Sequence, residues 1–102
     1  MASTLHIAPG QDEFELMLSG DLDAQTVDQL RARLDEFAPE QPLVVDVAGL
    51  HAIDRAGIEL LADVNKVHRS AGSSLRLNRA AQNNRVLSLL EELELTEHLT
   101  FD

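Results

Sequence analysis

Three aspartates stand where an α/β chain would place chemistry: Asp21, Asp23 and Asp54. Asp54 lies in "HAIDRAGIEL", residues 51 to 60, between an apolar run, "PLVVDV", and "GIELLADVNKV". The run reads as a buried strand and the following stretch as a helix. That strand would deliver Asp54, Arg55, Ala56 and Gly57 to the mouth of a sheet just where a helix begins, the usual position of sites in α/β proteins. Three carboxylates gathered there would suit a phospho-acceptor site. Such a site also needs a lysine at a later strand end, and the only lysine, Lys66, falls inside the second predicted helix.

Other chemistries find less support. His6, His51, His68 and His98 are dispersed, with no pair at ligand spacing, so no metal site is expected. The absence of cysteine removes disulfides, thiolate metal sites and thiol catalysis. There is no Gly-rich phosphate loop, and no Ser has a base and an orienting acid beside it in the sequence. Hence no catalytic residue and no cofactor is expected.

Eight basic against eighteen acidic residues give a formal charge of −10. Such a surface repels phosphate backbones and anionic headgroups, so neither nucleic acid nor direct membrane binding is expected. "RAR" at 31 to 33 and the scattered Arg76, Arg79 and Arg85 are the only candidates for a basic patch. The aromatics are Phe14, Phe37 and Phe101, too few for a base-stacking platform. "MASTLHIAPG" lacks a basic segment followed by an apolar one, and no run approaches membrane-spanning length, so a cytoplasmic location is expected.

The elements that would position Asp54 can be read along the chain. "TLHIA" alternates as a strand, "PGQD" is turn chemistry, and "EFELMLS" alternates as a hairpin partner. From Asp23, a natural N-cap, Val27, Leu30, Leu34 and Phe37 recur at helical spacing until the prolines of "APEQP". "LVVDV" is short, apolar and β-branched, as expected of a strand covered on both faces. Leu60, Leu61, Val64, Val67 and Ala71 form a second helical stripe that Gly72 ends. "SLRLN" is a further strand, Val86, Leu89, Leu90 and Leu93 a third stripe, and "HLTF" a last short strand. The order β-β-α-β-α-β-α-β predicts a single α/β domain over residues 1–102. Its sheet should be mostly parallel, with right-handed β-α crossovers and one antiparallel N-terminal edge strand.

The same residues resemble a known family. "SGDLDAQTVDQLRARL" is similar to the Gly-x-Leu-Asp entry to the first helix of STAS domains, the group that includes the anti-sigma-factor antagonists. "LVVDVAGLHAIDRAGIELL" resembles their second signature: an apolar strand ending in Asp, a loop, then Asp-x-x-Gly and a Leu-rich helix. "AGSSLRL" and "VLSLLEELELTEHLTF" match the closing strand, helix and strand, so the resemblance spans almost the whole chain.

The resemblance implies a bacterial signalling adaptor that is not an enzyme. In antagonist members a kinase phosphorylates the Ser or Thr directly before the signature Gly, which releases the partner. Here that position is Ala56, a degenerate phosphosite, and the residue before it, often Ser or Thr in relatives, is Arg55. The implied docking surface takes Asp21, Leu22 and Asp23 from the first motif and Ile53, Asp54, Arg55, Ala56 and Glu59 from the second. Its implied partner is an anti-sigma factor, a serine kinase or a related regulatory protein; homo-oligomerisation is left open.

Physical reasoning about the position agrees. A residue in the first helical turn sees free backbone N–H groups and the positive dipole end. Phosphate there would add nearly two negative charges to a surface that a partner must touch. Asp54 reads as the helix N-cap, and Arg55 as either a solvated Arg paired with Glu59 or part of the docking surface. Gly57 reads as room for close helix–strand packing. Two other readings stand beside the adaptor. One is a STAS subunit of an ATP-driven lipid transporter binding its ATPase, where relatives keep Thr at the position of Arg55. The other is a small enzyme or nucleotide-binding protein, which no motif supports.

Overall fold

The computed structural model describes residues 3–94 and 99–101. Strands β1 (Leu5–Pro9) and β2 (Glu15–Leu22) form an antiparallel hairpin. The chain continues through α1 (Val27–Leu34), β3 (Leu43–Ile53), α2 (Arg55–Ser70), β4 (Leu75–Asn78), a 3-10 turn (Ala80–Gln82), α3 (Asn84–Glu92) and β5 (Thr100–Phe101). The five strands lie in sequence order, and every pairing after the hairpin is parallel. This is the expected single α/β domain with its antiparallel edge strand. Of the predicted last strand "HLTF", Thr100 and Phe101 are paired, while His98 lies outside the described residues.

Strand order has a direct consequence for the helices. Right-handed crossovers that always step the same way across a sheet leave every helix on one face. Leu30 and Leu34 of α1, Ile58, Leu60 and Leu61 of α2, and Val86 and Leu90 of α3 are buried in one cluster with Leu16, Leu18, Val45, Val47, Leu75 and Leu77. The opposite face has no described helix on it. "LVVDV" is therefore not covered on both sides: Val45 and Val47 are fully buried, whereas Val44 is only half-buried and Met17 is exposed.

Polar side chains cover part of that open face. Arg79 reaches Asp46 at 2.7 Å, and Asn78 donates to Glu15 at 3.4 Å. Asp46 is buried to 5 % exposure by this arrangement, so Arg79 balances a carboxylate that would otherwise be costly. The same ion pair holds the Arg79 guanidinium above its ordinary pKa.

One further reading changes. The second stripe does not run through Val67 and Ala71: Val67 is 54 % exposed, and buried Asn65 and His68 take the core-facing positions. Both find partners, Asn65 accepting from the Leu75 N–H at 2.8 Å and His68 Nδ1 lying 2.9 Å from the Gln41 carbonyl. The free edge of β1 is also guarded. Gln29 of α1 donates to the Leu5 carbonyl at 2.9 Å, and Pro9 has no N–H to offer, so the edge presents few groups for strand pairing.

Candidate functional site

The parallel register sets Asp21 beside Ala52 and Leu22 beside Ile53. Both strands therefore end together, and the loops before α1 and α2 emerge side by side. The Asp54 N–H donates to the Leu22 carbonyl at 3.1 Å, which carries the ladder one bond beyond the strands. The two sequence motifs, about thirty residues apart, are thus brought into one surface.

Strand β3 reaches this point by a device that sequence reading missed. It has 11 residues against 8 in β2, and the register slips between Met17 and Ser19 and again between Gly20 and Asp21. Each slip is an extra residue in β3, a bulge that leaves backbone groups without ladder partners. Asp46 accepts the Ala48 N–H at 3.0 Å, and buried Asn83 donates to the carbonyls of Val47 and Leu50 at 2.9 and 3.0 Å. The Asn83 oxygen also accepts from the N–H groups of Arg85 and Val86, so one side chain caps α3 and holds the bulged strand. The stretch "AGLHAI", expected as a loop, is strand to Ile53.

The first loop is not capped as expected. Helix α1 begins at Val27 with Thr26 at its N-cap, and Asp23 lies three residues earlier in a turn. The Thr26 hydroxyl donates to the Asp21 carbonyl at 2.8 Å and accepts the Asp23 N–H at 3.0 Å. The Asp23 carboxylate accepts from the Ser3 hydroxyl and from the Gln25 N–H. These bonds, the Ser3 hydroxyl foremost, hold Asp23 below the usual carboxylate pKa. Asp21 accepts the Thr4 N–H at 3.4 Å. Ser3, Thr26 and Asn83 position the site without figuring in the motif reading.

The second loop follows its expectation. Asp54 is the N-cap of α2, in extended conformation, and its side chain accepts the Gly57 N–H at 3.3 Å. Arg55 pairs with Glu59 at 2.7 Å, both side chains well exposed, so the pair contributes at most a few tenths of a kcal/mol. Ala56 is half-buried in the first turn between them. A Cβ on Gly57 would stand 2.6 Å from Leu22 Cγ, which only glycine avoids. Leu22 itself is fully buried beneath that contact and forms the floor of the surface. Asp21, Asp23, Ile53 and Asp54 are half-buried around it, with Arg55 and Glu59 exposed.

Each of the three aspartates accepts hydrogen bonds: Asp54 from its own loop, Asp21 from Thr4 of the N-terminal segment, and Asp23 from both Ser3 of that segment and Gln25 of its own loop. Lys66 is exposed on α2, and no group of His, Asp or Glu that could hold a metal occurs among the described residues. No described helix is long and apolar enough to cross a membrane. The arrangement offers a mixed-charge surface of hydrogen-bonded side chains rather than a cleft with free acids and bases.

Comparison with known proteins supports the architecture. A search of curated proteins finds no match. Among solved structures, the crystal structure of an antisigma-factor antagonist STAS domain from Rhodobacter sphaeroides is similar with a TM-score of 0.52 at 17% identity. That likeness covers 79% of this chain and 90% of the other. A chain in the crystal structure of diguanylate cyclase SiaD in complex with its activator SiaC, from Pseudomonas aeruginosa, is similar with a TM-score of 0.50 at 23% identity. It covers 99% of this chain and 91% of that one. The family model described as "Mlab, STAS domain" matches residues 6–100. The chain belongs to the STAS domain family.

Proposed function

We propose that this STAS domain is a non-enzymatic adaptor that docks a regulatory protein on the surface formed by Asp21, Asp23, Ile53, Asp54, Arg55, Ala56 and Glu59 over the buried Leu22. The observation that carries this reading is the paired ending of β2 and β3. Their register and the Asp54–Leu22 bond unite two distant motifs in one patch at the start of α2. Ala56 occupies the first turn, where a hydroxyl would be the natural switch, so docking is controlled by something other than phosphate at residue 56. The Rhodobacter neighbour is named as an antisigma-factor antagonist, and the Pseudomonas structure is of a cyclase with its activator. Both names support a partner that is itself a regulatory protein, with an anti-sigma factor or serine kinase as the leading class.

Affinity purification of the tagged chain from its native cell, beside an Ala56→Glu version, tests the proposal. Recovery of a kinase-like anti-sigma factor or another regulator, lost with Ala56→Glu, is the expected result. Recovery of a transporter ATPase by the same surface would assign the chain to a lipid-transport complex instead. A partner retained equally by both versions would remove the patch from the account.

A further inference from the structure

A second surface lies at the other end of the helical layer. Leu34 and Phe37, at and just beyond the end of α1, face Val64, Val67 and His68 of α2 across a groove of about 210 Å³. Val67 is 54 % exposed, one of two large apolar side chains exposed on the described surface. It sits twelve residues after Arg55, about 18 Å along the helix axis at 1.5 Å per residue. The groove is therefore separate from the patch around Ala56, and both surfaces can be occupied at once.

The chemistry of the lining selects an occupant. Ligand pockets for small molecules usually run from about 300 Å³ upward, so this groove is better sized for one anchoring side chain than for a free cofactor. Asp35 and Asp63 line it against a single arginine, Arg31. Helices α1 and α2 follow parallel strands and run the same way, so both present their negative dipole ends nearby. Because the Gln41 carbonyl can only accept, His68 Nδ1 carries a proton and is turned away from the groove. Carboxylates and dipole ends around apolar walls favour a cation attached to an apolar body. A second copy of this chain fits poorly, since two chains of charge −10 would bring like acidic lips together.

We propose that this groove docks an amphipathic, basic segment of a second partner protein, a Leu-type side chain entering between Phe37 and Val67 while an adjacent Lys or Arg meets Asp35 and Asp63. With the Ala56 patch also occupied as proposed above, the domain would join two proteins, one at each end of α2. This inference stands on the groove alone and not on the reading of the Ala56 patch.

The test is a titration of the full-length chain, followed by amide NMR shifts, with a synthetic amphipathic Leu/Lys peptide of about 14 residues, near the length at which isolated helices become viable. A Leu/Glu peptide of the same pattern serves as the comparison. The Leu/Lys peptide should shift Leu34, Phe37, Val64, Val67 and His68. Val67→Asn should weaken it on the order of tenfold, and Asp35→Asn with Asp63→Asn by several fold, with melts like the parent's. Glu13→Lys, at the hairpin turn, should leave it unchanged. Equal binding of the Leu/Glu peptide, shifts spread over the whole acidic surface, or indifference to Val67→Asn would overturn the proposal. A concentration-dependent dimer abolished by Val67→Asn would also overturn it, by naming a second copy as the occupant. The peptide reads only the groove, so its failure leaves the Ala56 patch untouched, and loss of that patch leaves the groove result standing.

Discussion

Gly57 and Leu22 approach so closely that a methyl group on Gly57 would stand 2.6 Å from Leu22 Cγ and 3.2 Å from the Leu22 carbonyl oxygen. This contact seats the first turn of α2 on the end of β2 and fixes the relation of the two loops. Gly57→Ala pits a gain of up to about 1 kcal/mol in helix propensity against overpacking of about 1–3 kcal/mol. Overpacking should win, because the atom met first is a branch point buried at 0 % exposure. Chemical denaturation should show a net loss of about 1–2 kcal/mol. In a Leu22→Ala background the same change should become neutral or stabilising, a coupling that a double-mutant cycle reads directly.

Asn83 is the second lock. Asn83→Ala strips partners from the carbonyls of Val47 and Leu50 and removes the cap of α3, so it should cost about 2–4 kcal/mol in denaturant unfolding. Asn83→Asp keeps the cap acceptor but replaces the donor with a carboxylate facing two carbonyls. It should be no more stable than Asn83→Ala. Recovery to the parent's stability would show that the cap alone matters and that the bulged strand holds itself.

Asp23 makes stability depend on acid. Its folded pKa lies below the ordinary aspartate value, with the Ser3 hydroxyl the main cause. A carboxylate depressed on folding contributes stability above its unfolded pKa and loses it as pH falls through the folded value. Thermal melts taken from about pH 5 to about pH 2 should therefore separate the parent from Ser3→Ala at the upper end and bring them together at the lower. A gap that stays constant or widens in acid would contradict this role for Ser3.

Residue 56 should carry no phosphate. Incubation of the parent with a cognate kinase should leave it unmodified at that position, whereas Ala56→Ser restores a hydroxyl in the first turn of α2 and should accept phosphate. Mass spectrometry decides both. Stoichiometric phosphate at Ser70, Ser73 or Ser88 of the parent would reveal a different switch.

Much of this was legible in the chain. The order of elements followed from the change of period between "EFELMLS" and the stripe Val27, Leu30, Leu34, and the Asp54 cap followed from a short acceptor before a helix. What stayed hidden was decided by tertiary partners. Asn65 and His68 turn inward because Leu75 and Gln41 supply hydrogen bonds that no periodicity rule can see, and Val67 is displaced to the surface. Thr26 and Gln29 carry the spacing of a capping box, yet both side chains bond elsewhere, to Asp21 and Leu5. The open sheet face follows from strand order, which the pattern of elements did not determine. The bulges of β3 leave no mark in "VDVAGLHAI" beyond a glycine.

The measurement closest to the central claim is the affinity of the purified partner for Ala56→Glu, by calorimetry, beside a thermal melt. Glutamate in a first helical turn is well tolerated and favoured by the dipole by about 0.3–1 kcal/mol, so folding should be preserved. Glu13→Lys is a suitable control, because Arg79 is held by Asp46 and cannot be changed without structural cost. The account predicts a melt like the parent's, a loss of binding on the order of a hundredfold or more for Ala56→Glu as a desolvated carboxylate enters the interface, and no loss for Glu13→Lys. Unchanged affinity of a normally folded Ala56→Glu would contradict it and leave "DRAG" as a helix start alone.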